Sequence, residues 1–357
     1  MKKKRKLKKQ FKILLFLLAF LSIIGIVWKI ETGKVSNDNS VVEFEVKKGS
    51  TYTSLSAQLK QENLIRSELF YKLYVKLSHP KSLQAGNYEL KKNMNLKTII
   101  HILESSTKHK TVSITFKEGI HFRKIVSLIT SNMNIDENTI YQKISDTTYL
   151  DSLIKKYWFL TEDIKNPEIY YSLEGYLFPD TYEFNEDADI ESLMETMLDN
   201  TEKKLEKYKN DILKSEYTIH EIMTMASIVE LEASNSDDRA GVAGVFYNRL
   251  ESGWSLGSDV TTYYGLKLEL SDRDLYQSEI NAFNNYNTRS SKMAGKLPIS
   301  PICNPGLESI KAAIYPEVHN YYYFVADKNK KTYFSKTASE HTNTVSKLKK
   351  EGLWYQY

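Results

Sequence analysis

Residues 13–28 read ILLFLLAFLSIIGIVW, sixteen positions without a charge. A run this long cannot be the surface helix of a soluble domain. As a helix it spans ~24 Å, a little short of a ~30 Å hydrocarbon core. Phe11, with Lys12 and Lys29 snorkelling, closes the gap. Residues 1–12 carry eight Lys/Arg and no acid. The positive-inside rule therefore puts the N-terminus in the cytoplasm and everything after Lys29 outside. A cleaved signal peptide is the competing reading. The residues after the run, Trp28, Lys29, Ile30 and Glu31, offer no small-x-small cleavage site, and no cysteine is there for lipidation. The expectation is an uncleaved single-pass anchor in the cell membrane: a basic stub over 1–12, a span over 13–28 and a large extracytoplasmic portion.

The remaining chain is ordinary globular protein. At 357 residues it exceeds one typical domain, and 41% hydrophobic with 26% charged residues excludes disorder as the main state. Removing the eight N-terminal cations from the 49 Lys/Arg leaves 41 basic against 45 acidic side chains. That balance is not a nucleic-acid binder's. The lone cysteine, Cys303, forms no internal disulfide.

Residues 29–40 are polar and turn-rich, a stalk. Over 41–108, Val42–Val46 alternates as a strand, Lys48-Gly49-Ser50 turns, and Leu55/Leu59 and Leu69/Leu73/Leu77 sit at helical spacing. Gly86–Leu90 returns as a strand and Leu96–Leu103 as a helix. This β-α-α-β order resembles a LysM-type module, which binds glycan; a spacer without a ligand fits it equally. Over 109–357, strands and helices alternate. Val112–Phe116 reads as a strand; Arg123–Ile129, Ile190–Lys207, Ile222–Glu232 and Arg239–Leu250 read as helices. Loops follow to Gly306, then a helix at Leu307–Ile314. Tyr321–Ala326 and Thr332–Ser335 pair across the Asp327–Lys331 turn. The fold class expected is α+β and α/β: one transmembrane helix, a small LysM-like module and a larger mixed α/β catalytic domain.

Several chemistries are absent. The seven histidines, at 79, 101, 109, 121, 220, 319 and 341, form no HxxxH or HExxH, and one cysteine cannot complete a zinc site. No Walker A or GxGxxG occurs. No metal or cofactor is expected. Gly253-Trp254-Ser255-Leu256-Gly257 matches GxSxG, but a nucleophile elbow needs a strand before it. Here an amphipathic helix leads in.

The densest constellation comprises Leu173–Phe184 (LEGYLFPDTYEF), Ala226-Ser227-Ile228-Val229-Glu230, Val245–Leu250 (VFYNRL), Leu256-Gly257-Ser258-Asp259, Tyr286-Asn287-Thr288, Pro301–Gly306 (PICNPG) and Glu340-His341. With the anchor, this resembles the YceG-like family of endolytic murein transglycosylases, over nearly the whole ectodomain. The resemblance implies cleavage of the β-1,4 bond between N-acetylmuramic acid and N-acetylglucosamine in nascent peptidoglycan. No water is used: the muramoyl 6-hydroxyl closes onto C1 and leaves a 1,6-anhydro end. It places the catalytic glutamate at Glu230, and it implies glycan strands as substrate and peptidoglycan synthases as partners. The chain departs from the family at Gly257, where glutamine is common, at Arg289, where tyrosine is usual, and at Gly295–Pro301, which lacks a double proline.

The residues agree with a single-carboxylate reaction. Attack by the sugar's own hydroxyl needs one carboxyl, which protonates the leaving oxygen and then deprotonates the 6-hydroxyl. The acid step requires a raised pKa, which desolvation supplies, and the apolar Ala226–Val229 stretch suits it. Glu232 is the rival: two residues on a helix point ~200° apart, so the pair cannot line one cleft. Read alone, either is more often a solvated helix residue. Asp259 is a second carboxylate or a helix-end group. Asn287 and Asn304 donate to sugar groups or form turns, and Tyr286 offers a flat face to a sugar ring. Glu174–Phe184 reads as packing, since Gly175 and Pro179 fix backbone shape; Glu340-His341 would support the site from behind. Two other functions remain open: a hydrolytic muramidase using Glu230, Asp259 and water, and a non-catalytic glycan-binding scaffold of wall synthesis.

Overall fold

The computed structural model describes residues 2–47, 49–104 and 111–354, with the side chains of 2–10 and of 13 left aside. Lys48, His109 and the 105–108 end of the small module lie outside the described residues. The chain divides into two compact units, Met1–Thr111 and Val112–Tyr357.

The first unit opens with helix α1 (Lys2–Glu31), whose segment Leu14–Glu31 has no buried residue and is long and apolar enough to cross a membrane. Then come β1 (Val41–Val46), α2 (Ser56–Gln61), α3 (Glu68–Ser78), β2 (Gly86–Lys91) and α4 (Leu96–Glu104). β1 and β2 pair antiparallel, with Phe44 opposite Tyr88 and Val42 opposite Leu90. Strand alternation sends Phe44 and Val46 inward and Glu43 and Glu45 outward. The inward residues meet Leu59, Tyr71, Leu90, Ile99 and Leu103 in one core. Ser67 caps α3 by accepting from the Phe70 amide. Leu69, Leu73 and Leu77 lie on α3 at the spacing read from sequence, but they are 72%, 42% and 62% exposed and stay out of the core.

The second unit runs β3 (Thr111–Thr115), α5 (Phe122–Asn132), α6 (Glu137–Ser145), α7 (Thr147–Lys156), β4 (Thr181–Asn185), α8 (Ile190–Leu205), α9 (Lys209–Lys214), α10 (Ile219–Glu232), α11 (Arg239–Glu251), α12 (Asp259–Gly265), α13 (Gln277–Asn281), α14 (Leu307–Ile314), β5 (Tyr323–Ala326), β6 (Thr332–Ser335) and α15 (Ala338–Lys350). β3 pairs with β4, and β5 with β6 antiparallel, Phe324 opposite Phe334. Three features depart from the sequence reading. α6 and α7 occupy a stretch with no assigned element, β4 forms inside the segment read as packing, and α12 and α13 form where loops were expected.

α10 is the axis of this unit. Its residues from Ile219 to Val229 are all buried except Glu221. A helix apolar on every face must be enclosed, and α11 and α14 pack against it. A capping box starts it: Thr218 Oγ1 accepts from the Glu221 amide, and the Glu221 carboxylate accepts from the Thr218 amide.

The Glu174–Phe184 segment is bound to the core by its backbone shape. Gly175 has φ +87°, and a Cβ there would lie 2.3 Å from Pro301 Cβ. Left-handed strain costs roughly 1–2 kcal/mol and core overpacking ~1–3 kcal/mol. Gly253, at φ +70°, has open space around it. Gly175→Ala should therefore lower the thermal midpoint of purified protein about twice as far as Gly253→Ala; equal losses in a melting experiment would contradict this packing.

Candidate active site

Glu230 and Glu232 emerge at the C-terminal end of α10, where the helix macrodipole is negative. A carboxylate is disfavoured there unless cations or hydrogen-bond donors meet it. Each glutamate meets a different set.

Glu230 is fully occupied. Its side chain is only 6% exposed. Arg239 donates to Oε1 at 3.2 Å; the Gly306 amide and the Ser309 hydroxyl donate to Oε2 at 2.9 and 2.7 Å. The Arg239 side chain is itself 13% exposed. Glu118 lies alongside, its carboxyl pushed up by burial and by the charge of Glu230. Donors on both oxygens make this a joint between α10, α11 and α14. The apolar stretch before Glu230 does bury it, as the sequence implied, in a setting where both oxygens are hydrogen-bonded.

Glu232 faces the other way, as the ~200° offset requires. It lines a cleft of about 410 Å3 with Ser234, Phe324, Val325, Ala326, Lys330 and Trp354. That volume falls within the range of small-ligand sites. Among the described residues one donor is fixed on it: the Ser258 hydroxyl, 2.6 Å from Oε1. Burial pushes its carboxyl up, and the charge of Asp259 adds to this; the Ser258 bond and the Arg249 and Arg289 guanidiniums oppose it. The carboxyl thus has a free oxygen, a cleft beside it and an environment that favours a held proton.

Aromatic rings stand near by. Arg249 donates to the Tyr322 carbonyl at 2.7 Å and lies 5.4 Å from the Tyr323 ring centre. Trp254, 44% exposed, packs on Tyr322 with ring centres 4.9 Å apart. An exposed indole is a face for a sugar ring. Trp254 belongs to the GxSxG match, which here runs from the end of α11 into α12 with no strand leading in. The elbow is therefore absent.

The other expected site residues separate. Asp259 opens α12, is 57% exposed and pairs with Arg289 at 3.4 Å; its charge acts on Glu232. Tyr286 does not present its ring to solvent. It is 1% exposed, and its hydroxyl accepts from the Tyr170 amide and meets Ser300. Asn287 is 2% exposed: its amide donates to the Glu279, Ile280 and Ala282 carbonyls, and its oxygen accepts from Thr262. Asn304 is fully buried, donating to Ile120 and Glu174 and accepting from Leu177. In this structure all three are buried internal struts, with their side-chain polar atoms paired inside the protein rather than turned toward solvent. Glu340 completes the α15 capping box, and His341 stacks on Tyr323 at 5.5 Å.

Glu174 is the hub of that strut network. It is 1% exposed and accepts from the Phe122 amide, Tyr264 and Asn304. Burial pushes its carboxyl up to about 8.

The sequence matches the YceG-like family over residues 44–347. A protein of Bacillus subtilis named endolytic murein transglycosylase is 34% identical over 87% of this chain and 86% of its own length. A Streptococcus pneumoniae protein of the same name is 28% identical, over 87% of this chain and 59% of its own length. A crystal structure of a YceG-like protein from Listeria monocytogenes superposes with a TM-score of 0.60 at 32% identity, covering 86% of this chain and 99% of the other. The chain belongs to the YceG-like family.

Proposed function

We propose that this protein is a membrane-anchored endolytic murein transglycosylase whose acid/base is Glu232, not the Glu230 to which the motif first points. One observation carries the assignment: of the two acids ending α10, only Glu232 has a free carboxyl oxygen on a cleft, whereas Glu230 is bonded on both oxygens. The activity follows from the named relatives.

The reaction needs one carboxyl in two roles. Protonated Glu232 gives its proton to the glycosidic oxygen as the C1–O bond breaks, and positive charge develops at C1. The carboxylate left behind is stabilised by the Ser258 hydroxyl and the nearby Arg249 and Arg289 charges. It then takes the proton of the muramoyl 6-hydroxyl, whose oxygen bonds to C1 and closes the 1,6-anhydro ring. The carboxyl ends as it began, and no water is consumed. The exposed Trp254, packed on Tyr322, offers the glycan a stacking face outside the cleft lining.

Anchoring through α1, with the N-terminus cytoplasmic, keeps the cleavage close to the membrane, since residues 32–40 alone separate α1 from β1. Newly made strands are the ones within reach, so trimming or terminating them is the role proposed. The β-α-α-β order of the first unit supports reading it as a LysM-like module.

Mass spectrometry of uncrosslinked glycan strands treated with the protein should find internal fragments with anhydro ends. Reducing ends would instead indicate a muramidase, and intact strands a glycan-binding scaffold.

The starting enzyme must carry the Glu232 proton, so kcat/KM should fall as pH rises through its elevated pKa. Asp259→Asn removes a charge that raises this pKa, so the alkaline limb should move to lower pH. Arg289→Gln removes a charge that lowers it, so the limb should move up. A pH–rate profile unmoved by both changes would refute the assignment.

A further inference from the structure

The first unit carries a second cavity, of about 510 Å3, where α1 ends. Lys29, Lys34 and Lys97 line it, with Thr32, Tyr74 and Asn95 between them. None of the three lysines forms an ion pair among the described residues, whereas the neighbouring Lys92 pairs with Asp38 at 3.9 Å. The cavity is built rather than incidental. The Leu96 amide donates to the Thr32 carbonyl at 3.0 Å, and Arg66 donates to the carbonyls of Lys34 and Val35 at 2.9 and 3.1 Å. These bonds fix the segment after α1 against the domain. Asn95 caps α4 by accepting from the Thr98 amide, so the positive end of that helix adds to the three cations.

Its position says what meets it. Trp28, at the end of the apolar run, stacks on Tyr74 and meets Phe70 edge-on, both at 6.1 Å. A tryptophan at the end of an apolar span marks the membrane–water interface. α3, which supplies Tyr74 and Phe70, also presents Leu69, Leu73 and Leu77 to the exterior. An exposed leucine stripe beside unpaired lysines is the pattern of an interfacial helix on anionic lipid.

We propose that this cavity binds the phosphate of an anionic membrane lipid, with the α3 leucines seated in the acyl boundary. The site rests on reading α1 as an anchor. It would hold the first unit against the outer leaflet and keep the tether from swinging freely. Snorkelling accounts for Lys29 alone; it does not account for Lys34 and Lys97, which come from separate segments of the domain.

The test uses the full chain, reconstituted in equimolar phosphatidylglycerol and phosphatidylcholine, extracted in mild detergent and weighed by native mass spectrometry. The wild type should retain phosphatidylglycerol in preference to phosphatidylcholine. Lys34→Gln/Lys97→Gln, both exposed positions, should lower that retention about tenfold, since each lysine contributes a modest phosphate attraction. Equal retention by variant and wild type, or no headgroup preference, would overturn the proposal. A Trp28 fluorescence response to inorganic phosphate with no lipid retained would assign the cavity to free phosphate and overturn the lipid source. Alkaline carbonate extraction of the same membranes reports anchoring separately: release of the chain would sink the anchor reading, while loss of headgroup preference in a carbonate-resistant chain would sink only the phosphate site.

Discussion

Two carboxylates at the negative pole of a buried helix are an electrostatic liability, and the catalytic unit is arranged around meeting it. α10 is enclosed almost to its last turn, so neither glutamate can rely on water. Glu230 is met by Arg239 at the start of α11 and by the amide and hydroxyl that open α14. Removing one partner of such a buried pair costs ~3–5 kcal/mol. That joint fixes where α10 stops. With Glu230 locked, the residue two positions on is turned onto the opposite side and into the cleft.

The proposed chemistry depends on the contrast between the two settings. Three donors, one of them a guanidinium, engage both oxygens of Glu230. One hydroxyl and two more distant cations leave Glu232 able to hold a proton, release it and take it back. Glu174, Asn287, Asn304 and Tyr286 knit the Pro/Gly-bearing loops to the helices. Their role is to hold α12 and the Ser258 hydroxyl in place: Thr288 Oγ1, next to Asn287, accepts from the Ser258 amide at 3.1 Å.

Much of the fold was legible in local pattern. The uncharged run, the alternation at Val42–Val46, the helical leucine spacing and the apolar Ile222–Val229 stretch are signals that neighbouring residues carry alone. What local pattern does not carry is any feature set by partners distant in sequence. Asn287 and Asn304 look identical as turn residues or sugar ligands until their amides are seen donating to carbonyls. Tyr286 looks like a platform until Tyr170 and Ser300 enclose it. α12 begins beside Gly257 and Ser258 and is too short to show a periodicity. The two glutamates were correctly separated by helical geometry, but the choice between them was not available: Arg239 is nine residues from Glu230 and Arg249 is seventeen from Glu232, and nothing in spacing says which cation closes a site and which leaves it open. The exposure of Leu69, Leu73 and Leu77 was equally hidden, since a helical stripe reads the same whether it faces a core or a bilayer.

The most direct test of this account compares Glu232→Gln and Glu230→Gln on uncrosslinked glycan strands, with melting curves of both proteins. The account predicts that Glu232→Gln melts near wild type and yields no anhydro-ended fragments. Glu230→Gln should melt several degrees lower yet, below its own transition, still release them. A folded Glu230→Gln protein that cannot cleave, beside a Glu232→Gln protein that can, would return the chemistry to Glu230 and contradict the account.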